Sequence, residues 1–126
     1  MKRLKGVKKE NAFNVHEGST IHSLYDLAET LKSMPTESFR HHVSETKNDF
    51  ASWVRDVFED SVLAASLSSR KTRTAMENAV RARIKELEHE LMPAHASKKI
   101  LSRGIIDFLI GLVIGLVAGI LVASFL

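Results

Sequence analysis

The stretch STIHSLYDLAETLKSMP, residues 19–35, places apolar side chains at Leu24, Leu27, Ala28, Leu31 and Met34. These positions recur with the 3.6-residue period of a helix and fall on one face. Ser23 and Asp26 have the spacing of a capping box, in which a hydroxyl accepts the N–H three residues on. Pro35 cannot continue a helix, because it lacks an N–H and its ring clashes with the preceding turn. The spacing therefore predicts a helix over residues 24–33 and a helical class for the chain around it.

The pattern continues downstream. PTESFRHHVSETKNDFASWVRDVFED, residues 35–60, predicts two more helices. The first covers residues 37–44, with Phe39 and Val43 on one face. The second begins at Asn48 or Asp49, either of which has a side chain suited to the cap. Phe50, Trp53, Val54 and Val57 then form its buried stripe. SVLAASL, residues 61–67, predicts a short helix with Val62, Leu63 and Leu67 facing inward. Upstream, FNVHEG alternates Phe13 and Val15 before Gly18, which predicts a short extended segment closed by a turn.

RKTRTAMENAVRARIKELEHELM, residues 70–92, has the pattern of a long helix. Val80, Ile84, Leu87 and Leu91 are spaced 4, 3 and 4, as in a short coiled-coil seam. The same stripe would serve equally to pack this helix on its own domain. Its charges run backwards. Arg70, Lys71 and Arg73 stand at its start, and Glu86, Glu88 and Glu90 near its end, which opposes the helix dipole. The basic start therefore has another task or belongs to a solvated loop. The acidic end is repelled by anionic lipid, so the helix is expected to project from a membrane surface.

The membrane itself is implied by IIDFLIGLVIGLVAGILVASFL, residues 105–126, which holds the single charge Asp107. As a helix it would be about 33 Å long, enough for a hydrocarbon core of about 30 Å. A soluble helix apolar on every side would need a larger protein around it. Lys98, Lys99 and Arg103 precede the segment, so the positive-inside rule puts the N-terminal domain in the cytoplasm. The expected arrangement is a single-pass, tail-anchored protein. Gly111, Gly115, Gly119 and Ala123 recur at every fourth position, the small-residue spacing that lets membrane helices approach closely. Glycine is also common in membrane helices generally. Asp107, close to the start of the span, suits the headgroup level better than a helix–helix contact.

At 126 residues the chain has room for one small domain. It lacks cysteine, which removes disulfides and cysteine-based metal or redox sites. The net charge of +3 hides a segregation: residues 1–10 balance to +4, residues 11–67 to −5 and residues 68–103 to +5. The basic start, MKRLKGVKKE, has no apolar stretch behind it, which argues against a cleaved secretory signal. The expected organisation is a basic tail (1–12), a helical module (13–67), an amphipathic charged helix (70–92), a basic juxtamembrane linker (93–104) and a transmembrane helix (105–126). The fold class is all-α, with one short N-terminal extended segment.

IHSLYDLAETLKSM, FRHHV and NDFASWVRDVF, taken together, resemble a small prokaryotic, often archaeal, domain family of unknown function. The shared signature is H-V-x-x-x-x-N-D-F-A-x-W, matched from His42 to Trp53 through Asn48, Asp49 and Phe50. The resemblance covers residues 13–67 and implies a compact helical module. It brings no catalytic residues with it. The family's usual glycine after the RDVF helix is replaced here by Glu59 or Asp60.

The candidates for chemistry are the histidines at 16, 22, 41, 42, 89 and 95. His41 and His42 are neighbours and point in different directions on a helix. His42 and Asp49 are close enough in sequence to meet across a short loop. A metal site needs three or four ligands in fixed geometry, and no H-E-x-x-H or comparable spacing is present. The simpler role for His42 and the Asn48–Asp49 pair is to hold the loop and cap the helix. A glycine-rich phosphate loop and a nucleophile elbow are both missing from the sequence, so neither enzymatic activity nor a cofactor is expected.

Lys2, Arg3, Lys5, Lys8 and Lys9 form one basic cluster, and Arg70, Lys71 and Arg73 begin another. Such clusters can neutralise phosphates of nucleic acid or lipid. They lack interleaved aromatics and a recognised binding motif, so nucleic acid is not the favoured partner. The expected partners are the bilayer, a second copy met through the membrane helix, and a protein of unknown identity. The expected function is that of an interaction or scaffold module on the cytoplasmic membrane face.

Overall fold

The computed structural model describes residues 2–92 together with Ile114, Gly115 and Gly119. The chain divides into two units, Met1–Leu91 and Met92–Leu126. In the first, 3-10 turns at Lys2–Leu4 and Lys9–Asn11 precede β1 (Phe13–Asn14) and β2 (Thr20–Ile21). Five helices follow: α1 (Leu24–Ser33), α2 (Thr36–His42), α3 (Asp49–Val57), α4 (Ser61–Ser68) and α5 (Arg73–Leu91). In the second unit, Ile114, Gly115 and Gly119 are helical. Among the described residues no helix is long and apolar enough to cross a membrane. The proposed span, 105–126, lies almost entirely outside them.

The extended segment at Phe13 is half of a hairpin. β1 and β2 pair antiparallel, Phe13 opposite Ile21 and Asn14 opposite Thr20. The connecting loop turns at Gly18, whose φ of +102° is open to glycine and strained for other residues.

α1 has the bounds its sequence predicts. The Ser23 hydroxyl accepts the Asp26 N–H at 3.1 Å. The return bond differs from a standard capping box: the Asp26 carboxylate takes the His22 N–H at 3.0 Å, one residue ahead of the cap. Met34 is extended, with φ −64° and ψ 146°, as steric conflict with Pro35 requires. Leu24, Leu27 and Leu31 are fully buried.

α5 lies along α1 and completes the core. Met76, Val80, Ile84 and Leu87 are buried in the chain's own interior, whereas Leu91 is 50% exposed. Polar rungs flank this seam. Arg81 reaches Glu29 of α1 at 2.9 Å and Glu77 of its own helix at 2.9 Å. The Tyr25 hydroxyl donates to Glu88 at 2.6 Å. Exposed pairs of this kind fix register more than they stabilise.

The reversed charge pattern of α5 now has a cause. Arg73 Nη1 donates to the Lys32 and Met34 carbonyls at 2.9 and 3.0 Å, which close the C-terminal end of α1. Arg70 Nη1 donates to the Ser66 carbonyl in α4 at 2.7 Å, and Lys71 Nζ to the Ser44 carbonyl at 3.4 Å. Carbonyls in the last turn of a helix have no intrahelical partner and sit at the negative end of its dipole. α5 starts at Arg73 rather than at residue 70, so Arg70 and Lys71 belong to the loop before it; Arg73 alone is misplaced for its own helix, and Arg70 and Arg73 are well placed for the ends of α4 and α1.

Two sequence expectations need correction. α2 stops at His42 rather than Ser44, because Val43 is extended and pairs with Asn48 in an isolated bridge. The Ser44 N–H then bonds the Lys47 carbonyl at 2.8 Å and closes a tight turn into α3. Val62 does not face inward but is 61% exposed. α4 instead buries Leu63, Ala64 and Leu67, one helical face onto which Val62, one position earlier, does not fall.

Asp60 ties α4 to α5. It is 1% exposed and caps α4 by accepting the Leu63 N–H at 3.1 Å. Its other oxygen accepts Arg83 Nε at 2.9 Å. Burial raises the Asp60 carboxyl, but the Arg83 hydrogen bond, the Leu63 N–H and the Arg83 and Arg3 charges outweigh it. The group is held below the ordinary carboxylate range. Just before it, Glu59 takes a left-handed φ of 54°, the conformation in which helices commonly end on glycine. The turn keeps that shape without the glycine.

Breaking a buried ion pair from one side strands the other charge. Asp60→Ala is expected to lower stability by about 3–5 kcal/mol, measured by urea unfolding. Because the folded carboxyl is the stronger acid, its contribution is fully present above about pH 4, the unfolded value. It is lost as pH falls through the lower folded value, so wild type and Asp60→Asn should converge in strong acid. At the preceding position, Glu59→Gly should be neutral or up to about 1 kcal/mol stabilising. Glu59→Val should cost about 1–2 kcal/mol in the same measurement.

Candidate functional site

The hairpin and the α2–α3 turn bring His16, His41, His42 and Asp49 together. Their positions follow from local constraints. His42 is the last residue of α2, Asp49 the first of α3, and the Val43–Asn48 bridge holds the two helix ends side by side. Gly18 turns the hairpin back so that His16 meets α2.

His42 is 5% exposed, and both ring nitrogens are committed. Nε2 accepts the backbone N–H of His16 at 3.0 Å. A backbone N–H only donates, so Nε2 carries no proton. Nδ1 therefore holds the hydrogen and donates it to Asp49 Oδ2 at 3.0 Å. Lys47 Nζ lies 3.4 Å from the same carboxylate oxygen. Phe13 meets the imidazole edge-on at 4.9 Å, and Phe50 lies 5.3 Å away.

A His–Asp pair of this kind would resemble a general base if Nε2 faced a cleft. Here its lone pair is filled by the chain's own backbone. The pair acts as a latch between the hairpin and the α2–α3 turn.

His41 is exposed and stacks on His16, with ring centroids 4.1 Å apart and planes 21° from parallel. Stacked rings aim their lone pairs outward rather than at one ion. Desolvation is the first cause of the lowered His41 pKa; charge on His16 and Lys47 acts the same way and Asp49 opposes. Glu17 accepts a short hydrogen bond from the Ser38 hydroxyl, the main reason its carboxyl is lowered. Among the described residues, no group of three or more His, Asp or Glu could hold a metal ion.

Asn48, Phe50 and Trp53 anchor the same region. Asn48 Oδ1 caps α3 by accepting the Ala51 N–H at 3.0 Å, and its Nδ2 donates to the Leu67 carbonyl of α4 at 3.0 Å. Phe50 is fully buried. Trp53 is 8% exposed, and its Nε1 donates to the Asn11 carbonyl at 2.8 Å. Five residues that sequence alone joins by spacing thus fasten four different pieces of chain.

The basic residues separate into two groups. Arg70 and Arg73 are engaged with helix-end carbonyls and Lys71 with a carbonyl of the α2–α3 turn, although Lys71 and Arg73 also line a cleft of about 270 Å³ with Arg40. Lys5, Lys8 and Lys9 are exposed. Arg3 reaches the Glu59 carbonyl at 3.4 Å, and Lys2 lies in the first 3-10 turn. In the second unit, a Cβ at Gly115 or Gly119 would meet none of the described residues within 4 Å. Gly111, Ala123, Lys98, Lys99, Arg103 and Asp107 lie outside the described residues.

Sequence reasoning missed the Asp60–Arg83 pair and the His16 N–H contact. Asp60 carried a signal, being a cap-type residue directly before an apolar run. A backbone donor at His16 leaves no trace in residue identity.

No protein-family model, curated protein or solved structure matches this chain.

His42→Leu keeps the bulk but leaves the His16 N–H and the Asp49 carboxylate without their partner. A loss of about 1–3 kcal/mol is expected, with faster amide exchange at His16. Stoichiometric zinc in the purified chain, absent from the variant, would instead make His42 a ligand.

Proposed function

We propose that this chain is a membrane-anchored, non-enzymatic interaction module, held through residues 105–126 with its helical domain on the cytoplasmic side. The observation that carries it is the run of 22 residues with the single charge Asp107, preceded by Lys98, Lys99 and Arg103. Its length suits a bilayer, and its flanking charge suits a cytoplasmic N-terminal side. The resemblance from His42 to Trp53 supports a structural module and supplies no activity. The burial of both His42 nitrogens is in keeping with that assignment.

The small-residue stripe Gly111, Gly115, Gly119 and Ala123 is the proposed contact with a second membrane helix. In bilayers, Gly115→Ile should leave membrane insertion intact and abolish the crosslinked dimer. Unchanged crosslinking would move the contact elsewhere. Release of the wild-type chain by alkaline carbonate would remove the anchor itself.

A further inference from the structure

The basic N-terminal segment is built into the domain rather than trailing from it. The Val7 N–H donates to the His22 carbonyl at 2.7 Å, and the Asn11 carbonyl accepts Trp53 Nε1 at 2.8 Å. Leu4 and Val7 pack against the hydrophobic core. Between these fixings Lys5, Lys8 and Lys9 remain exposed.

Most of the other cations have a polar partner. Lys47, Arg55, Arg81 and Arg83 are in ion pairs, and Arg70, Lys71 and Arg73 serve carbonyls. Lys5, Lys8 and Lys9 take part in no ion pair among the described residues. Arg3, Lys32, Arg40, Arg70, Lys71, Arg73 and Lys85 share that condition, but Arg3, Arg70, Lys71 and Arg73 hydrogen-bond backbone carbonyls, and Lys32, Arg40 and Lys85 stand on three different helices, α1, α2 and α5. The N-terminal segment thus gathers three exposed cations that have no side-chain partner among the described residues, on backbone that is held in place. A cleft of about 420 Å³ opens beside Lys5 and Lys8 over Val57 and Phe58, with Glu10 the one acid on its wall.

We propose that this fixed segment is a docking pad for the anionic headgroups of a phospholipid bilayer. The proposal rests on the membrane-anchored reading and adds a second, electrostatic attachment to it. A pad already ordered in the free protein loses little conformational entropy on binding. Residues 1–12 contain no aromatic side chain, so unpaired bases would find no stacking platform there. Headgroup phosphates require only the charge, and each cation near an anionic surface contributes about fivefold in affinity.

The test uses the full chain reconstituted into phosphatidylcholine vesicles, with or without phosphatidylserine. Acylation rates of individual lysines are read by mass spectrometry. Lys5, Lys8 and Lys9 should react severalfold more slowly in the anionic vesicles, and high salt should restore the rate. Lys32 and Lys85 should not change in step with them. Lys8→Gln with Lys9→Gln should remove most of the protection of Lys5. Equal rates in both vesicles would overturn the pad, as would protection that appears only when RNA is added. If the chain fails to incorporate at all, the anchor fails separately. Salt-sensitive flotation with anionic but not neutral vesicles would then sustain the pad, and flotation with neither would refute it.

Discussion

The first unit depends on one buried carboxylate. Asp60 starts α4 and, through Arg83, fixes where α5 lies against it. A buried charge is tolerable only when its lone pairs are filled and its charge is matched. Here one oxygen takes a backbone N–H and the other a guanidinium. The turn ahead of it bends through a left-handed Glu59, and Arg3 of the N-terminal segment reaches the Glu59 carbonyl. Polar chemistry at one point therefore orients four stretches of chain, and the apolar side chains fill the space so defined.

The same economy of contacts explains the odd charge layout of α5. Considered alone, a helix with arginines first and glutamates last is electrostatically unfavourable. Within the fold, Arg70 and Arg73 sit at the carbonyl ends of α4 and α1. Arg73, the first residue of α5, closes α1, and Arg70, in the loop before α5, closes α4. This also separates the two basic clusters that look alike in sequence: the later one is internal fastening, while Lys5, Lys8 and Lys9 keep their charge for solvent or a partner.

Local signals in the sequence were strong where one element decides its own fate. The α1 period, the Ser23 cap, the Pro35 stop and the Asn48 cap all act within a few residues, and each appears in the structure as its chemistry requires. The stripe on α5 was ambiguous because a helix that packs on a neighbour and one that packs on a copy show the same apolar face. Val62 failed for a related reason: in an eight-residue helix, a cap shifts which apolar residues point inward, and composition alone does not say how. In the histidine region, the meeting of His42 with Asp49 was legible from spacing. The closure of Nε2 by the His16 amide was not, because it depends on a hairpin folding back across the turn.

α1 and α5 are neighbours in space and far apart along the chain. Joining residues 24–33 to 73–91 means closing a long loop before the contact returns any free energy, the feature that slows folding in domains of this size. α3 and α4 pack against each other without a later element, yet α1 stays without its main partner until α5 arrives. During synthesis the apolar face of α1 is therefore exposed for most of the time the domain takes to emerge. The stretch that finally covers it comes shortly before residues 105–126. The window in which the first unit is open to chaperones thus closes only once its last helix has emerged.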